Sequence, residues 1–179
     1  MKPKTLGLLL LLAVVVAGLW AAQRYWLGEL KVEPGAAQDM GGLMEPVPEV
    51  ALADASGKLI RLRDFQGKVL VINFWATWCL PCKLEIPFFN DVYNEYRAQG
   101  VEFIGISVDA GGWKDIEEFQ KEVPIAYPVV LADEKTVEAF GGLSGLPVTI
   151  FVDRQGRIVY KNIGITDIDH LRANIQRLL

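Results

Sequence analysis

Residues 69–82 read VLVINFWATWCLPC, and this stretch decides the fold that we expect. Its first seven residues form a nearly continuous apolar run, which is typical of a strand buried on both faces of a sheet. After the second cysteine, apolar side chains recur every four residues, at Leu84, Phe88, Val92 and Tyr96, and are joined by Phe89 and Tyr93. This spacing predicts an amphipathic helix that packs through one apolar stripe and ends at the next glycine. The two cysteines therefore lie between a buried strand and a helix.

The rest of the chain alternates between segments with strand and helix patterns. Such alternation, closed by a hairpin and a helix, is typical of an α/β fold with a mixed central sheet. A short hairpin precedes the first buried strand, because two strand-like segments flank the turn-like residues 54–57. The other predicted elements are the hairpin strands 50–53 and 59–63, the strands 101–108, 148–153 and 157–161, and the helices 113–121, 136–140 and 168–179.

The amino-terminal residues differ in composition from the rest of the chain. Lys2 and Lys4 precede an uncharged, apolar run over residues 5–22. As a helix, this run would span about 27 Å, which is close to the thickness of the hydrocarbon core of a bilayer. We therefore predict a signal anchor, a transmembrane helix with its flank, over residues 1–27. The alternative is a cleavable signal peptide, for which residues 16–18 offer a cleavage site.

The two lysines also predict how the anchor is oriented. Positive charges at the amino end of a membrane helix stay on the cytoplasmic side. We therefore expect a single-pass protein of the cytoplasmic membrane, with the remaining residues on the extracytoplasmic side. Residues 28–46 are rich in glycine and small side chains, which is typical of a flexible tether. Residues 47–179 then form one folded domain.

The charge of the chain limits its partners. It has 18 basic and 22 acidic side chains and a formal net charge of −4. Domains that bind nucleic acid carry a basic surface, so we expect no nucleic-acid partner. The chain contains two cysteines and one histidine, His170. A metal site would need further ligands, so we expect no bound metal.

Cys79 and Cys82 are the candidate redox pair. Thiols at positions i and i+3 of a helical turn are close enough to form a disulfide. The N–H groups and the positive dipole end at the helix start would stabilise the thiolate of Cys79, which is the attacking species. Cys82, one turn later, would be more buried and would resolve the mixed disulfide. The pair could instead be an inert structural disulfide, part of a metal site that includes His170, or a chance occurrence.

The active-site stretch also resembles a known family. Residues 69–87, VLVINFWATWCLPCKLEIP, are similar to the active-site segment of membrane-anchored thioredoxin-like oxidoreductases of the TlpA/ResA/CcmG type. The resemblance extends over residues 47–179 and includes LRDFQGK at 62–68 and GLPVTI at 145–150. It implies a thioredoxin-like fold with a mixed central sheet, an N-terminal hairpin and a central insertion formed by residues 109–137.

Two further site residues follow from the resemblance. In similar proteins, a proline in the position of Pro147 has a cis peptide bond and lies against the cysteine pair; by itself, Pro147 would be a strand-entry proline. An acidic residue in the position of Glu85 lies close to the cysteines, where it raises the thiol pKa and exchanges a proton. The alternative for Glu85 is a solvated helix residue. Asn73 favours the first role, because it occupies the place of a titrating aspartate in cytoplasmic thioredoxins.

The resemblance implies dithiol–disulfide exchange without a cofactor. Reduced Cys79 would attack a disulfide of an extracytoplasmic protein, such as apocytochrome c awaiting haem, and Cys82 would release the product. A membrane protein would then supply electrons to restore the dithiol. Leu80 and Pro81 bring no cation that would strongly stabilise the thiolate, which favours reduction of substrates over their oxidation.

Three alternatives come from different functional classes. A thioredoxin-like copper metallochaperone would need a wider cysteine spacing and a distal histidine. A peroxiredoxin-like peroxidase would need Thr or Ser three residues before its reactive cysteine, where Cys79 is preceded by Ala76. A structural interaction module would keep the fold and show no turnover with a small dithiol.

Overall fold

The computed structural model describes residues 15–21 and 44–179. Residues 15–21 are helical. Most of the predicted anchor and of the predicted tether lies outside the described residues. Within the described part of the chain, no helix combines the length and the apolar character that crossing a membrane requires.

A six-stranded sheet and a separate hairpin account for the strands of residues 44–179: β1 (Glu45–Pro46), β2 (Ala51–Ala53), β3 (Leu59–Arg61), β4 (Val69–Trp75), β5 (Val101–Ser107), β6 (Val129–Leu131), β7 (Val148–Val152) and β8 (Arg157–Ile163). The large sheet has the order β1-β8-β7-β4-β5-β6, and β2 pairs with β3. Because β4 pairs in parallel with β5 and antiparallel with β7, the sheet is mixed. All seven residues of β4 are buried, as its apolar sequence predicts.

The α-helices of residues 44–179 are α1 (Leu80–Tyr96), α2 (Trp113–Glu122), α3 (Glu134–Ala139) and α4 (Ile168–Leu178). Side chains alternate between the two faces of β4. On one face, Val71 shares a core with Phe89 of α1 and Leu171 of α4. On the other face, Ile72 packs with Leu52 of the hairpin. The sheet is therefore covered on both sides, and α1 lies over its central strands.

The predicted fold class is confirmed. The N-terminal hairpin, the buried strands, the β7–β8 hairpin and the helices occur where the pattern predicts them. Their ends are displaced by one or two residues, except that α1 ends at Tyr96 and a 3₁₀ turn continues the chain to the predicted stop at Gly100. Strands β1 and β6 were not predicted, because two or three residues are too few to show a periodic pattern. β1 consists of the last two residues of the predicted tether, and β6 lies within the predicted insertion, where it extends the sheet beside β5.

The structure corrects the predicted packing face of α1. The sequence pattern places Leu84, Phe88, Val92 and Tyr96 on one packed stripe, but Leu84 is 58% and Phe88 50% exposed. A four-residue repeat drifts by about 40° per turn around a helix with 3.6 residues per turn. The row therefore starts on the solvent side and enters the core only at Val92. The buried residues of α1 are Cys82, Glu85, Ile86, Phe89, Val92 and Tyr96.

Candidate active site

The cysteine pair lies at the start of α1. Cys79 is the N-cap residue of the helix, and its Sγ accepts a hydrogen bond from the backbone N–H of Cys82 at 3.3 Å. The two sulfurs are joined in a disulfide. Cys79 keeps 5% of its surface exposed, whereas Cys82 keeps none. Cys79 is therefore the more accessible of the two cysteines, and it lies at the helix start, where the backbone N–H groups and the dipole favour a negative charge.

A carboxylate after the neighbouring strand fixes the loop before Cys79. Asp109 accepts hydrogen bonds from the backbone N–H of Thr77 at 3.0 Å and from the Thr77 hydroxyl at 2.6 Å. The hydroxyl of Ser107 also donates to Asp109, at 2.7 Å. Trp75 pairs with Ser107 at the ends of β4 and β5. Thr77 and Asp109, each two residues further along, therefore meet at the same edge of the sheet.

The peptide bond between Leu146 and Pro147 is cis, as the resemblance implies. Leu146 packs against the apolar cluster that contains Cys79 and Cys82. The carbonyl oxygen of Pro147 accepts a hydrogen bond from the N–H of Gly164 at 2.8 Å. The segment that enters β7 thus lies beside the cysteine pair and is joined to the loop that follows β8.

Glu85 lies one helical turn after Cys82 and is buried, with 1% of its surface exposed. Its carboxylate accepts hydrogen bonds from Asn73 Nδ2 at 2.8 Å and from the backbone N–H of Thr166 at 3.2 Å. Burial raises the pKa of Glu85 from 4.5 to about 7, because the ionised form loses its water, although the two hydrogen bonds act in the opposite direction. Glu85 is therefore not a solvated helix residue, and with a pKa of about 7 it is partly protonated at neutral pH.

A row of buried polar side chains crosses the sheet below Glu85. Asn73 on β4 pairs with Thr149 on β7, which pairs with Asn162 on β8. The hydroxyl of Thr166 donates to the Thr149 hydroxyl at 3.1 Å and accepts from Asn162 Nδ2 at 2.8 Å. The loop that presents the Thr166 N–H to Glu85 is thus fixed by buried hydrogen bonds. Breaking a buried hydrogen bond costs more stability than breaking an exposed one.

Two aromatic side chains pack around Gly105, which pairs with Asn73 in the sheet. A Cβ atom on Gly105 would lie 3.0 Å from Trp75 Nε1 and 3.1 Å from Tyr127 Cε2, so the absence of a side chain lets both rings approach the strand. Burial, with a smaller contribution from the charge of Glu85, raises the pKa of Tyr127. The Tyr127 hydroxyl therefore stays protonated at neutral pH.

Residues 15–21 and 44–179 contain no group of three His, Cys, Asp or Glu side chains that could hold a metal ion. His170 lies on α4, where its ring stacks on that of Tyr160 with 5.4 Å between the centroids. His170 therefore packs against β8.

Asp109 and Thr166 contribute to the site although the sequence analysis missed them. Asp109 had a signal: the carboxyl ends of adjacent parallel strands meet at one edge, so the first acidic residue after β5 falls beside the loop that follows β4. Thr166 had no local signal, because 81 residues separate it from Glu85. Only the tertiary fold brings these two residues together.

Comparisons with known proteins agree with this geometry. The sequence model of the AhpC/TSA family matches residues 43–161. The chain is 28% identical over 171 residues to the thiol-disulfide oxidoreductase ResA of Bacillus thuringiensis subsp. konkukian. The aligned residues make up 96% of this chain and 93% of that protein. It is 31% identical over 131 residues to ResA of Bacillus cereus strain ZK / E33L, and the aligned residues make up 73% of this chain and 75% of that protein.

Solved structures share the fold as well. A thiol:disulfide interchange protein of the thioredoxin family from Chlorobium tepidum aligns with a TM-score of 0.69 at 27% identity, over 76% of this chain and 97% of that one. The thioredoxin domain of a thiol-disulfide oxidoreductase from Bacteroides vulgatus aligns with a TM-score of 0.68 at 25% identity, over 76% and 97%. With its cysteine pair at the start of α1, the chain belongs to the AhpC/TSA family and is a thioredoxin-like thiol–disulfide oxidoreductase of the ResA type.

Proposed function

We propose that this protein reduces disulfide bonds of other proteins outside the cytoplasm. The observation that carries the proposal is the Cys79–Cys82 pair at the start of α1, which has one reachable sulfur and a buried carboxyl group, Glu85, one turn further along. Leu80 and Pro81 separate the cysteines without adding a cation. The thiolate is therefore not stabilised so strongly that the pair would act as an oxidant.

The proposed reaction has two exchange steps. The thiolate of Cys79 attacks one sulfur of the substrate disulfide and forms a mixed disulfide; the substrate S–S bond breaks, and its leaving sulfur takes up a proton. Cys82 then loses its proton and attacks Cys79 Sγ. The Cys79–Cys82 disulfide forms, the bond between Cys79 and the substrate breaks, and the second substrate sulfur takes up a proton, so that the substrate leaves as a dithiol. Two electrons pass from the enzyme to the substrate. A second dithiol must return them before the next cycle.

We propose that Glu85 accepts the proton that Cys82 loses in the second step. The two residues lie one helical turn apart on the buried side of α1, and a carboxyl group with a pKa of about 7 both accepts and returns a proton at neutral pH. Pro147 would hold the preceding residue, Leu146, beside the cysteines, where its backbone pairs with the substrate chain. The packing of Leu146 against the cysteine cluster supports this role.

The proposed partners follow from the predicted location. An anchor over residues 1–27 would hold residues 47–179 at the outer side of the cytoplasmic membrane. Disulfide-containing proteins there, including apocytochrome c before haem attachment, would be the substrates. A membrane protein that carries electrons from the cytoplasm would be the reductant.

Substitution of each cysteine in the full-length chain tests the mechanism. We expect Cys79→Ala to abolish reduction of insulin disulfides, and Cys82→Ala to accumulate a mixed disulfide with its substrates. Ser144→Ala, an exposed substitution, is the control and should keep the activity. Wild-type activity in Cys79→Ala would show that the mechanism is wrong. Trapping with Cys82→Ala in cells would identify the substrates.

A reporter fused after Leu179 tests the location. We expect alkaline phosphatase, which is active only outside the cytoplasm, to be active in this fusion, and a fluorescent protein that matures only in the cytoplasm to stay dark. The opposite pair of signals would contradict the proposed orientation.

A further inference from the structure

Large hydrophobic side chains are exposed on both sides of Cys79. Eight such side chains are exposed in residues 44–179, and four of them are Trp78, Leu80, Leu84 and Phe88. Leu80, Leu84 and Phe88 are 66%, 58% and 50% exposed and follow one another at intervals of about one helical turn. We call these three residues the α1 stripe. It begins directly after Cys79 and is about 12 Å long.

None of the three residues of the α1 stripe is charged. Lys83 and Glu85 are the only charged residues between positions 80 and 90. Lys83 forms an ion pair with Glu122 at 3.1 Å, and Glu85 is buried. The stripe is therefore suited to apolar groups and not to an acidic or basic surface.

The neighbours of α1 pack against its sides and leave the α1 stripe open. On one side, Lys83 Nζ lies 5.9 Å from the ring centroid of Phe119 on α2. On the other side, the N–H of Thr166 donates to Glu85 at 3.2 Å, and the preceding residue, Ile165, is exposed. Exposed apolar surface is thus present on the loop after β8 as well as on the stripe.

The chemistry at Cys79 determines which molecule meets the α1 stripe. In a mixed disulfide, the Cα atoms of the two cysteines lie about 5 to 6 Å apart, so the partner chain is adjacent to Leu80. An extended chain advances about 3.3 Å per residue. A partner chain that leaves the disulfide along α1 therefore reaches Phe88 after about four residues.

We propose that the α1 stripe binds large apolar side chains located within about four residues of the disulfide-bonded cysteine of a substrate polypeptide. This inference rests on the proposed function, because it requires the mixed disulfide in which the Cys79–substrate bond has formed and the substrate S–S bond has broken. Folded proteins bury most such side chains. The stripe therefore selects polypeptides that are not fully folded around their disulfide.

A membrane surface is a less suitable occupant. Helices that lie on membranes carry several Lys or Arg residues beside their apolar face. Lys83 is the only basic residue between positions 80 and 90, and it is already paired.

Two synthetic peptides with one intramolecular disulfide each test the proposal. One peptide has Leu and Phe beside the reactive cysteine, and the other has Ser and Gln in the same places. The enzyme is the full-length chain in lipid nanodiscs, supplied with a dithiol. The readout is the ratio of kcat/KM for the apolar peptide to that for the polar peptide. We expect a ratio of about 10 for the wild type, arising mainly in KM.

The double variant Leu84→Gln/Phe88→Gln should lower this ratio to about 1. Leu59→Gln is the matched control, because Leu59 is 51% exposed on β3, outside the stripe, and this variant should keep the wild-type ratio. A wild-type ratio near 1, or an unchanged ratio in the double variant, would overturn the inference and leave the proposed function intact. If the wild type reduces neither peptide, the proposed function fails as well.

A change of specificity gives an independent test. The variant Phe88→Glu should prefer a peptide with Lys in place of Phe over the original apolar peptide, because an ion pair replaces the apolar contact. The absence of this preference would overturn the inference.

Mass photometry tests whether a second copy of the chain occupies the stripe. If the wild type forms dimers in nanodiscs and the double variant does not, a second copy of the chain occupies the stripe and the inference is wrong.

Discussion

The first turns of α1 depart on both faces from the usual polarity of a surface helix. The carboxyl group of Glu85 is buried beside the apolar residues Ile86 and Phe89, and the exposed face presents Leu84 and Phe88. A helix on a protein surface normally buries its leucines and exposes its glutamates. Further along α1 the usual order returns, because Val92 is buried and Asp91 is exposed. The buried carboxyl group and the exposed apolar side chains thus occur only at the end of the helix next to the cysteines.

The positions of Glu85, Leu84 and Phe88 are therefore not explained by stability. A carboxyl group buried at 1% exposure resists ionisation, and two large apolar side chains left in water forgo the stabilisation that burial would give. Natural proteins accept such losses mainly at functional sites. The remainder of the helix provides the packing that compensates for them.

Substitution of two adjacent phenylalanines should show the largest difference between the two faces of α1. We expect Phe89→Ala to lower the free energy of unfolding by about 3–5 kcal/mol, because it leaves a cavity in the core. Phe88→Ala should change it by less than about 1 kcal/mol, because the Phe88 ring is half exposed. Urea unfolding of both variants measures the difference. Similar losses for the two substitutions would mean that α1 has no exposed apolar face.

The buried carboxyl group should make stability depend on pH. The folded-state pKa of Glu85 is raised from 4.5 to about 7. The contribution of this group to the free energy of unfolding is therefore fully present below pH 4.5 and is lost as the pH rises through 7. Relative to Glu85→Gln, which does not titrate, the oxidised wild type should lose about 3 kcal/mol of unfolding free energy across this range. Chemical unfolding of the two proteins at several pH values tests this.

The matched control for this measurement is Glu117→Gln, which removes an exposed carboxylate from α2. Its stability should follow that of the wild type at every pH. If Glu85→Gln also follows the wild type, Glu85 ionises as it would in water, and its burial has no effect on its pKa.

Removal of the amide that bonds to Glu85 tests how this hydrogen bond affects the pKa of the carboxyl group. Asn73 Nδ2 donates to the carboxylate at 2.8 Å, so Asn73→Ala should raise the pKa of Glu85 further, by about 1 unit, because the charged form loses a donor. A carbon NMR titration of the Glu85 carboxyl group measures the shift. Asn94→Ala, an exposed substitution on α1, is the control; an unchanged pKa in Asn73→Ala would mean that this hydrogen bond does not stabilise the ionised form.

The smallest expected effect connects Glu85 with the thiols. Its negative charge raises the pKa of nearby thiols, so Glu85→Gln should lower the apparent thiol pKa by less than about 1 unit. Iodoacetamide modification of the fully reduced proteins should then begin at a lower pH in the variant. Where the thiols and the carboxyl group titrate as a coupled set, the pH profile describes the whole set and not one residue. Superimposable profiles would remove Glu85 from the proton-transfer step.

The sequence is informative about the backbone framework and less so about the faces of its helices. The apolar run of β4 and the position of Cys79 and Cys82 predict the fold and the place of the redox pair, because a fully buried strand and a helix start have local patterns. The burial of Glu85 has no such pattern. It depends on Asn73 and Thr166, which come from a strand and a loop that the fold brings to α1.

The exposed face of α1 escaped prediction for a related reason. The four-residue spacing of Leu84, Phe88 and Val92 is compatible with one packed stripe, and only the neighbouring elements decide where that row enters the core. β6 escaped because its three residues pair with β5 through backbone groups and carry no alternating pattern of their own.

The hydrogen bond from the Cys82 N–H to Cys79 Sγ connects the folding of the helix with the acidity of its cap. A negatively charged sulfur accepts a hydrogen bond more strongly than a neutral one does. Where this bond is kept in the reduced protein, ionisation of Cys79 therefore stabilises the first turn of α1. By reciprocity, an ordered first turn lowers the pKa of Cys79 by the equivalent free energy. A change that frays this turn must therefore also make Cys79 a weaker acid and leave less of it as thiolate at neutral pH.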